Sequence, residues 1–374
     1  PMEKIDALKN ILADPYAYGR EFKNLHAKKI VGYTCSYGPE ELIHAAGALP
    51  FRLFGTHEAI HLADRHLQSY CCSLVRGILE EALSGRIDFL DGVIFPHTCD
   101  SFQRLSDIWR LNVAHGFHID FVLPVKLNTD SARSYLVDIL VQCKSDLENR
   151  LEVTISEKML REAIQTFNQI RAAMMRLYEI RSRSPGVIKG RDLNALVQAA
   201  MITERTFLLD ALTRIADQVE KAPPGQPAEN ARRLILTGSV CSQPDIYDAI
   251  ENAGGVVVWD DLCTGSRYFD GMIDPSLPVF EALAQRYLER GVCPAKHAGL
   301  VQRGGDLLEL VRRHQADGVV FLFLKFCDPH AFDYPYLKEM LDKAQIPSLL
   351  LEIEDPGFSQ GQLQTRLETF IQII

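Results

Sequence analysis

Short β-rich runs alternate with amphipathic helical stretches along this chain, and they do so twice, on either side of a long segment without strands. Strands spaced by helices make βαβ units, which close into parallel sheets covered on both faces. The first series runs KKIVGY, PEELIHAAGA, LPFRLFG, SLVRGILEEALSG, DGVIF, a helix around Phe102 to Arg110, and IDFVLPV. The second runs RRLILTG, a helix from Asp245 to Ala253, GGVVVWDDL, a helical stretch to Glu289, DGVVFLFLKF, another helix and PSLLLEIE.

The predicted fold class is therefore α/β: two parallel-sheet, doubly wound, flavodoxin-like domains with a helical segment between them. A leading helix over Glu3 to Lys28, interrupted near Pro15, belongs to the first. Its domain covers residues 1–129. Residues 130–228 form the helical segment, broken at Ser184-Pro185-Gly186 and ending in the linker Ala222-Pro223-Pro224-Gly225-Gln226-Pro227. The second α/β domain covers residues 229–374. Both halves contain an Asp-Gly-Val entry, at Asp91 and Asp317, that leads through a strand to Cys99-Asp100 and Cys327-Asp328.

A net charge of −9 and the lack of a basic patch exclude general binding to nucleic acid or anionic membrane. No apolar run approaches the ~18 residues of a membrane span. The charged N-terminus PMEKIDALKN carries no export signal, so a cytoplasmic location is expected.

In that compartment the nine cysteines point to metal or redox chemistry, not disulfides. Cys35, Cys99, Cys263 and Cys327 fall at or just past strand carboxyl ends, where open α/β sheets gather their ligands. Cys72 and Cys293 lie near helix ends. A functional grouping is one triad per half, Cys35/Cys72/Cys99 and Cys263/Cys293/Cys327, each holding iron through soft thiolates. Cysteine is also a common core residue, which is the plainer reading of any one of them. Zinc is disfavoured because the C-x₂₋₄-C spacing of structural zinc sites does not occur. Cys143 and Cys241 look like bystanders, and Cys71 is ambiguous beside Cys72.

With these residues assembled, the chain resembles the family of 2-hydroxyacyl-CoA dehydratases, ATP-dependent benzoyl-CoA reductases and double-cubane cluster proteins over nearly its whole length. The carriers are Gly32-Tyr33-Thr34-Cys35-Ser36-Tyr37-Gly38-Pro39-Glu40-Glu41 with His44-Ala45-Ala46-Gly47, Tyr70-Cys71-Cys72-Ser73, Thr98-Cys99-Asp100, Lys325-Phe326-Cys327-Asp328-Pro329 and Gln364-Thr365-Arg366-Leu367-Glu368. The resemblance implies a 4Fe–4S cluster on Cys72, Cys99 and Cys327 in dehydratase-like members. Double-cubane members add cysteines that match Cys35, Cys263 and Cys293, so all six imply an 8Fe–9S double cubane in preference to a single cluster.

It also implies an anaerobic oxidoreductase component fed by a separate dimeric ATPase activator with its own iron–sulfur cluster. No G-x-x-x-x-G-K-[ST] loop is present, which assigns ATP to that partner. A small-molecule substrate is expected, with a CoA thioester among the candidates, and the assembly would be a homodimer or a heterodimer with a related subunit. The alternatives are a dehydratase or benzoyl-CoA reductase subunit with one 4Fe–4S cluster, and a cluster-free two-lobed binding protein.

Candidate catalytic residues are His97, Ser36 and Glu40, with His330 and Tyr37 also beside cysteines; imidazole can deliver a proton near neutrality. Each has an ordinary structural role too: His97 could cap a backbone group, and Glu40 suits a helix first turn. Asp100 and Asp328 read as helix N-caps. Arg104, Arg110 and Arg267 could meet CoA phosphates or simply be solvated.

Overall fold

The computed structural model describes residues 2–223, 231–241, 245–354 and 360–374. Most of the Ala222–Pro227 linker lies outside the described residues. Helices α1 (Met2–Ala13) and α2 (Pro15–His26) are split where expected: Asp14 caps α2 by accepting from the Ala17 amide at 2.9 Å, with Pro15 opening the helix. β1 (Ile30–Tyr33), α3 (Glu40–Ala45), β2 (Leu49–Arg52), α4 (Ser73–Leu83), β3 (Gly92–Pro96), α5 (Asp100–Asn112) and β4 (Phe117–Phe121) then form a parallel sheet in the order β2-β1-β3-β4.

Four helices follow without a strand: α6 (Asp130–Leu151), α7 (Glu157–Arg183), α8 (Gly190–Ala200) and α9 (Arg205–Lys221). Thr129, Ser156 and Glu204 cap α6, α7 and α9 through side-chain oxygens. A short 3₁₀ turn at Pro185–Val187 marks the predicted break.

The second sheet contains β5 (Arg232–Gly238), β6 (Gly255–Asp261), β7 (Gly318–Leu324) and β8 (Ser348–Ile353) in the order β6-β5-β7-β8. This is the same connectivity as the first sheet, also parallel throughout. Its helices are α10 (Asp245–Asn252), α11 (Ser266–Phe269), α12 (Val279–Glu289), α13 (Leu300–Arg313), α14 (Asp328–Lys343) and α15 (Gln360–Ile373). The strand and helix rhythm of the sequence does not single out α13 or α15.

The repeated Asp-Gly-Val has a structural origin. Asp91 accepts from the Ile30 amide at 2.9 Å, and Asp317 accepts from the Arg233 amide at 2.7 Å. Each carboxylate thus locks the start of its third strand to the start of its first, and so aligns the carboxyl ends where cysteines follow. The lobes also interlock. α12 packs into the core of the first lobe, where Val279, Leu283 and Tyr287 are buried beside Phe121 and Leu140. Backbone pairing of Val125 and Leu127 with His297 joins the lobes at the site. Among the described residues no helix is long and apolar enough to cross a membrane.

Candidate functional site

In each sheet the order reverses between the first and third strands, so the chain leaves these two strands in opposite directions and opens a crevice at their carboxyl ends. Cys35 follows β1, Cys99 follows β3, Cys263 follows β6 and Cys327 follows β7. The Cys35 turn closes through a Gly38 amide to Cys35 carbonyl bond of 2.8 Å. A Cβ at Gly38 would meet the Tyr33 ring at 2.4 Å, so only glycine fits that turn without a shift. Cys293 is held after α12, where its amide donates to Tyr37 Oη at 3.3 Å and its carbonyl accepts from the Lys296 amide at 2.9 Å.

Cys72, Cys99 and Cys327 are themselves the N-cap residues of α4, α5 and α14. The expectation that Asp100 and Asp328 would be the caps is corrected: both occupy the first helical position. The physical reason is backbone conformation, since the cysteines carry the non-helical backbone angles of the residue preceding the helix. A thiolate at such a position gains from the positive end of the helix.

The six sulfurs influence one another across the lobes. Burial pushes the Cys72 thiol up to about 11. Burial, with Cys72 as the leading neighbouring thiol, raises both Cys99 and Cys327, and Cys99 also acts on Cys327. Burial and then Cys263 push Cys293 up to about 11, with Cys35 a further neighbour. The thiols thus act on one another within and between the halves: Cys72, Cys35 and Cys293 on Cys99, Cys72, Cys99 and Cys263 on Cys327, and Cys263 and Cys35 on Cys293. Cys35 moves the other way: burial would raise it, but Arg52, a Thr98 hydrogen bond, a backbone bond at Tyr37 and Arg290 together lower it.

All nine cysteines are free thiols. Among the described residues no three Cys, His, Asp or Glu side chains close around a single metal ion. A multi-iron cluster takes thiolates at wider separation, one per iron. Buried N–H groups without partners among the described residues stand beside the thiols: Nε and Nη1 of Arg52, Nε of Arg290 and Nη1 of Arg267. A soft, six-thiol donor set with unsatisfied cationic donors around it fits an anionic iron–sulfur cluster.

His97 Nε2 lies 2.7 Å from Asp120 Oδ1, and Ser106 and His118 complete the group around that carboxylate. Partial burial opposes it, but the bonds to His97 and Ser106 hold Asp120 down to about 2. Asp120, Ser106 and His118 escape a reading of the sequence because β4 and α5 bring them to His97 only in the fold. His97, Cys99, His297, Phe332 and Tyr336 line an open cleft of about 640 Å³ between the lobes. Cys99 is the one member of the six that lines it.

The other expected residues are placed differently. His330 Nδ1 is 3.2 Å from Cys327 Sγ, and burial keeps the ring neutral. Ser36 is buried, and its carbonyl accepts from Arg290. Tyr37 is pushed up to about 12 by burial, with the Arg290 guanidinium 4.5 Å from its ring centre. Glu40 forms an ion pair with Arg205 at 2.9 Å and accepts from Tyr33 at 2.8 Å. Arg104 and Arg110 pair with Asp100 and Asp107 on exposed helix faces. Arg267 is buried against Asp261 at 3.1 Å.

A family model described as "2-hydroxyglutaryl-CoA dehydratase, D-component" matches residues 35–374. Curated relatives span nearly the same length. The chain is 25% identical over 369 residues to the (R)-phenyllactyl-CoA dehydratase beta subunit of Clostridium sporogenes, covering 98% of this chain and 97% of that one. It is 29% identical over 387 residues to the lactoyl-CoA dehydratase subunit beta of Anaerotignum propionicum, with both chains covered in full. It is 29% identical over 347 residues to one of the subunits of the benzoyl-CoA reductase of Thauera aromatica, covering 90% and 88%.

Proposed function

Because the chain belongs to the 2-hydroxyglutaryl-CoA dehydratase D-component family, we propose that it is the iron–sulfur catalytic component of an ATP-dependent low-potential reductase. In this reading it receives electrons from a separate ATPase activator at a double-cubane cluster held by Cys35, Cys72, Cys99, Cys263, Cys293 and Cys327. The observation that carries it is the mutual electrostatic influence of the thiols across the two halves, four of the six following the carboxyl ends of strands in two sheets of identical order. Such a cluster supplies electrons at strongly negative potential, down to roughly −700 mV at the extreme.

The chain's own part is to hold the thiolates and keep water from them. The N-termini of α4, α5 and α14 favour three of the anions. The His330 ring beside Cys327 is a neutral donor to its sulfur once that sulfur is a thiolate. The cleft at Cys99 is the route for a small-molecule substrate, a CoA thioester being the class suggested by the relatives. His97, fixed at Nε2 by Asp120, keeps Nδ1 to hold or release a proton there. Ser36 and Glu40 have positioning roles: the Ser36 carbonyl orients Arg290, and Glu40 is committed to Arg205.

A second reading is favoured by the names of the relatives: one member of a dehydratase or reductase pair, with a single 4Fe–4S cluster on Cys72, Cys99 and Cys327. In either case the chain works beside a second copy or a related subunit. Anaerobic purification followed by iron and acid-labile sulfide analysis decides between them. About eight irons and nine sulfides per chain are expected for the double cubane, and about four of each for the single cluster. Cys35→Ala and Cys263→Ala should each reduce the iron content; full iron and sulfide in both variants would sink the six-ligand assignment. A chain that takes up no iron after anaerobic reconstitution would instead be a two-lobed binding protein.

A further inference from the structure

Four buried cations surround one half of the thiol set. Arg52 ends β2, in register beside Tyr33 of β1, two residues before Cys35. Arg290 donates to the carbonyl of Ser36 at 2.9 Å, the residue after Cys35. Lys296 donates its own amide to the Cys293 carbonyl, and among the described residues its ammonium reaches only the Leu123 carbonyl, at 3.4 Å. Arg267 closes the turn that contains Cys263, donating to the Asp261 carbonyl at 2.9 Å.

Their charges are poorly matched within the protein. Arg52, Arg290 and Lys296 are each 2% exposed. The acceptors that meet Arg290 and Lys296 are carbonyl oxygens, not carboxylates. Nε and Nη1 of Arg52 and Nε of Arg290 have no hydrogen-bond partner among the described residues. Arg267 shares its carboxylate, Asp261, with Arg303. Charges buried in this way are costly unless an anion meets them. The thiols that feel them are chiefly Cys35, Cys263 and Cys293, and Lys296 also acts on Cys99. The groups that chiefly favour the thiolates of Cys72, Cys99 and Cys327 are instead backbone N–H donors of Val75, Phe102 and His330.

We propose that Arg52, Arg267, Arg290 and Lys296 are the counter-charges of the Cys35, Cys263 and Cys293 thiolates, and that they make this the end of the cofactor that takes up an electron first. The step is the uptake of one electron from an external one-electron reductant, with no bond made or broken and no proton moved. A fixed positive charge nearby stabilises the reduced, more negative state in a water-poor interior. The inference rests on the reading that the six thiols hold a double cubane.

The test uses the full chain, loaded with iron and sulfide without oxygen and titrated with Ti(III) citrate while the cluster signal is followed by electron paramagnetic resonance. Arg52→Met and Lys296→Met should each move the first midpoint to more negative potential, whereas Arg52→Lys, which keeps the charge, should stay near the wild type. Without the cluster the two Met variants should melt at higher temperature than the unloaded wild type, because an uncompensated buried charge has been removed. Fully loaded Met variants with an unmoved first midpoint would overturn the inference. So would an Arg52→Lys variant as impaired as Arg52→Met, since shape and not charge would then be at work. A wild-type chain that binds no iron fails earlier and overturns the cluster reading itself.

Discussion

Glu81 shows how a single residue can be tuned by burial alone. It lies on the inner face of α4 at 1% exposure, and among the described residues neither carboxyl oxygen has a hydrogen-bond partner. Burial, opposed by Arg86, pushes its pKa up to about 8. The folded chain therefore keeps a proton that the unfolded chain releases near pH 4.3, so stability is greatest below that value and falls as pH rises toward about 8. Glu81→Gln removes this slope. Relative to the wild type it should gain stability progressively between those limits, by ~3–5 kcal/mol near pH 8. Urea unfolding at pH 5 and pH 8 checks it, and an equal difference at both values would refute it. Asp120 has the opposite sign. Its depressed carboxyl adds stability above about pH 4 that is lost as pH falls through about 2. Asp120→Asn should shrink that acid-induced loss in a pH-melting series, and should also free the His97 ring that it fixes.

At the scale of elements, the strand ends carry the site and small residues let them do so. A Cβ at Gly238, the last residue of β5, would lie 1.9 Å from the Leu322 carbonyl oxygen of β7. The next residue, Ser239, accepts from the Leu324 amide at 3.0 Å through its hydroxyl and from the Cys263 amide at 3.1 Å through its carbonyl. Gly238→Ala must therefore separate β5 from β7 and disturb the backbone before both Cys263 and Cys327. A loss of about 2–3 kcal/mol is expected, with incomplete iron uptake. Unchanged unfolding and unchanged metal content would show that β7 yields without consequence. The strands themselves are legible in sequence because buried parallel strands are short apolar runs bounded by turn residues, and β5 to β8 have that form. α13 is not, since the paired glycines Gly304 and Gly305 weigh against a helix by propensity even though its apolar residues keep helical spacing. At Cys99 and Cys327 the sequence points to the following aspartates as caps, because aspartate is the commoner cap residue, whereas the turn geometry puts the boundary one residue earlier.

For the whole molecule, the six cysteines are legible because each sits at a strand or helix end, but their surroundings are not. Arg52, Arg290 and Lys296 come from three separate elements or loops, and no local pattern connects them to Cys35. Glu40 is the sharper lesson. Beside Cys35 in sequence it suggests catalysis, and in space its carboxylate holds three parts of the chain together. It accepts from Tyr33 of the first lobe, Arg205 of the helical segment and Tyr268 of the second lobe, the last at 3.1 Å. The adjacent Glu41 pairs with Arg171 of α7. Glu40→Gln leaves a guanidinium that is 1% exposed without its anion, which should cost ~3–5 kcal/mol. Adding Arg205→Met should restore part of that loss, since the unpaired charge is then gone. The chain has two tryptophans, Trp109 in α5 and Trp259 in β6, one in each lobe. Fluorescence of Trp109→Phe and Trp259→Phe backgrounds therefore follows each lobe by itself. With Glu40 intact, the two urea transitions should coincide because the lobes share one buried carboxylate. In Glu40→Gln they should separate, and in the double variant they should draw together again. Coincident transitions in all three would mean that the α12 packing, not Glu40, makes the lobes unfold as one.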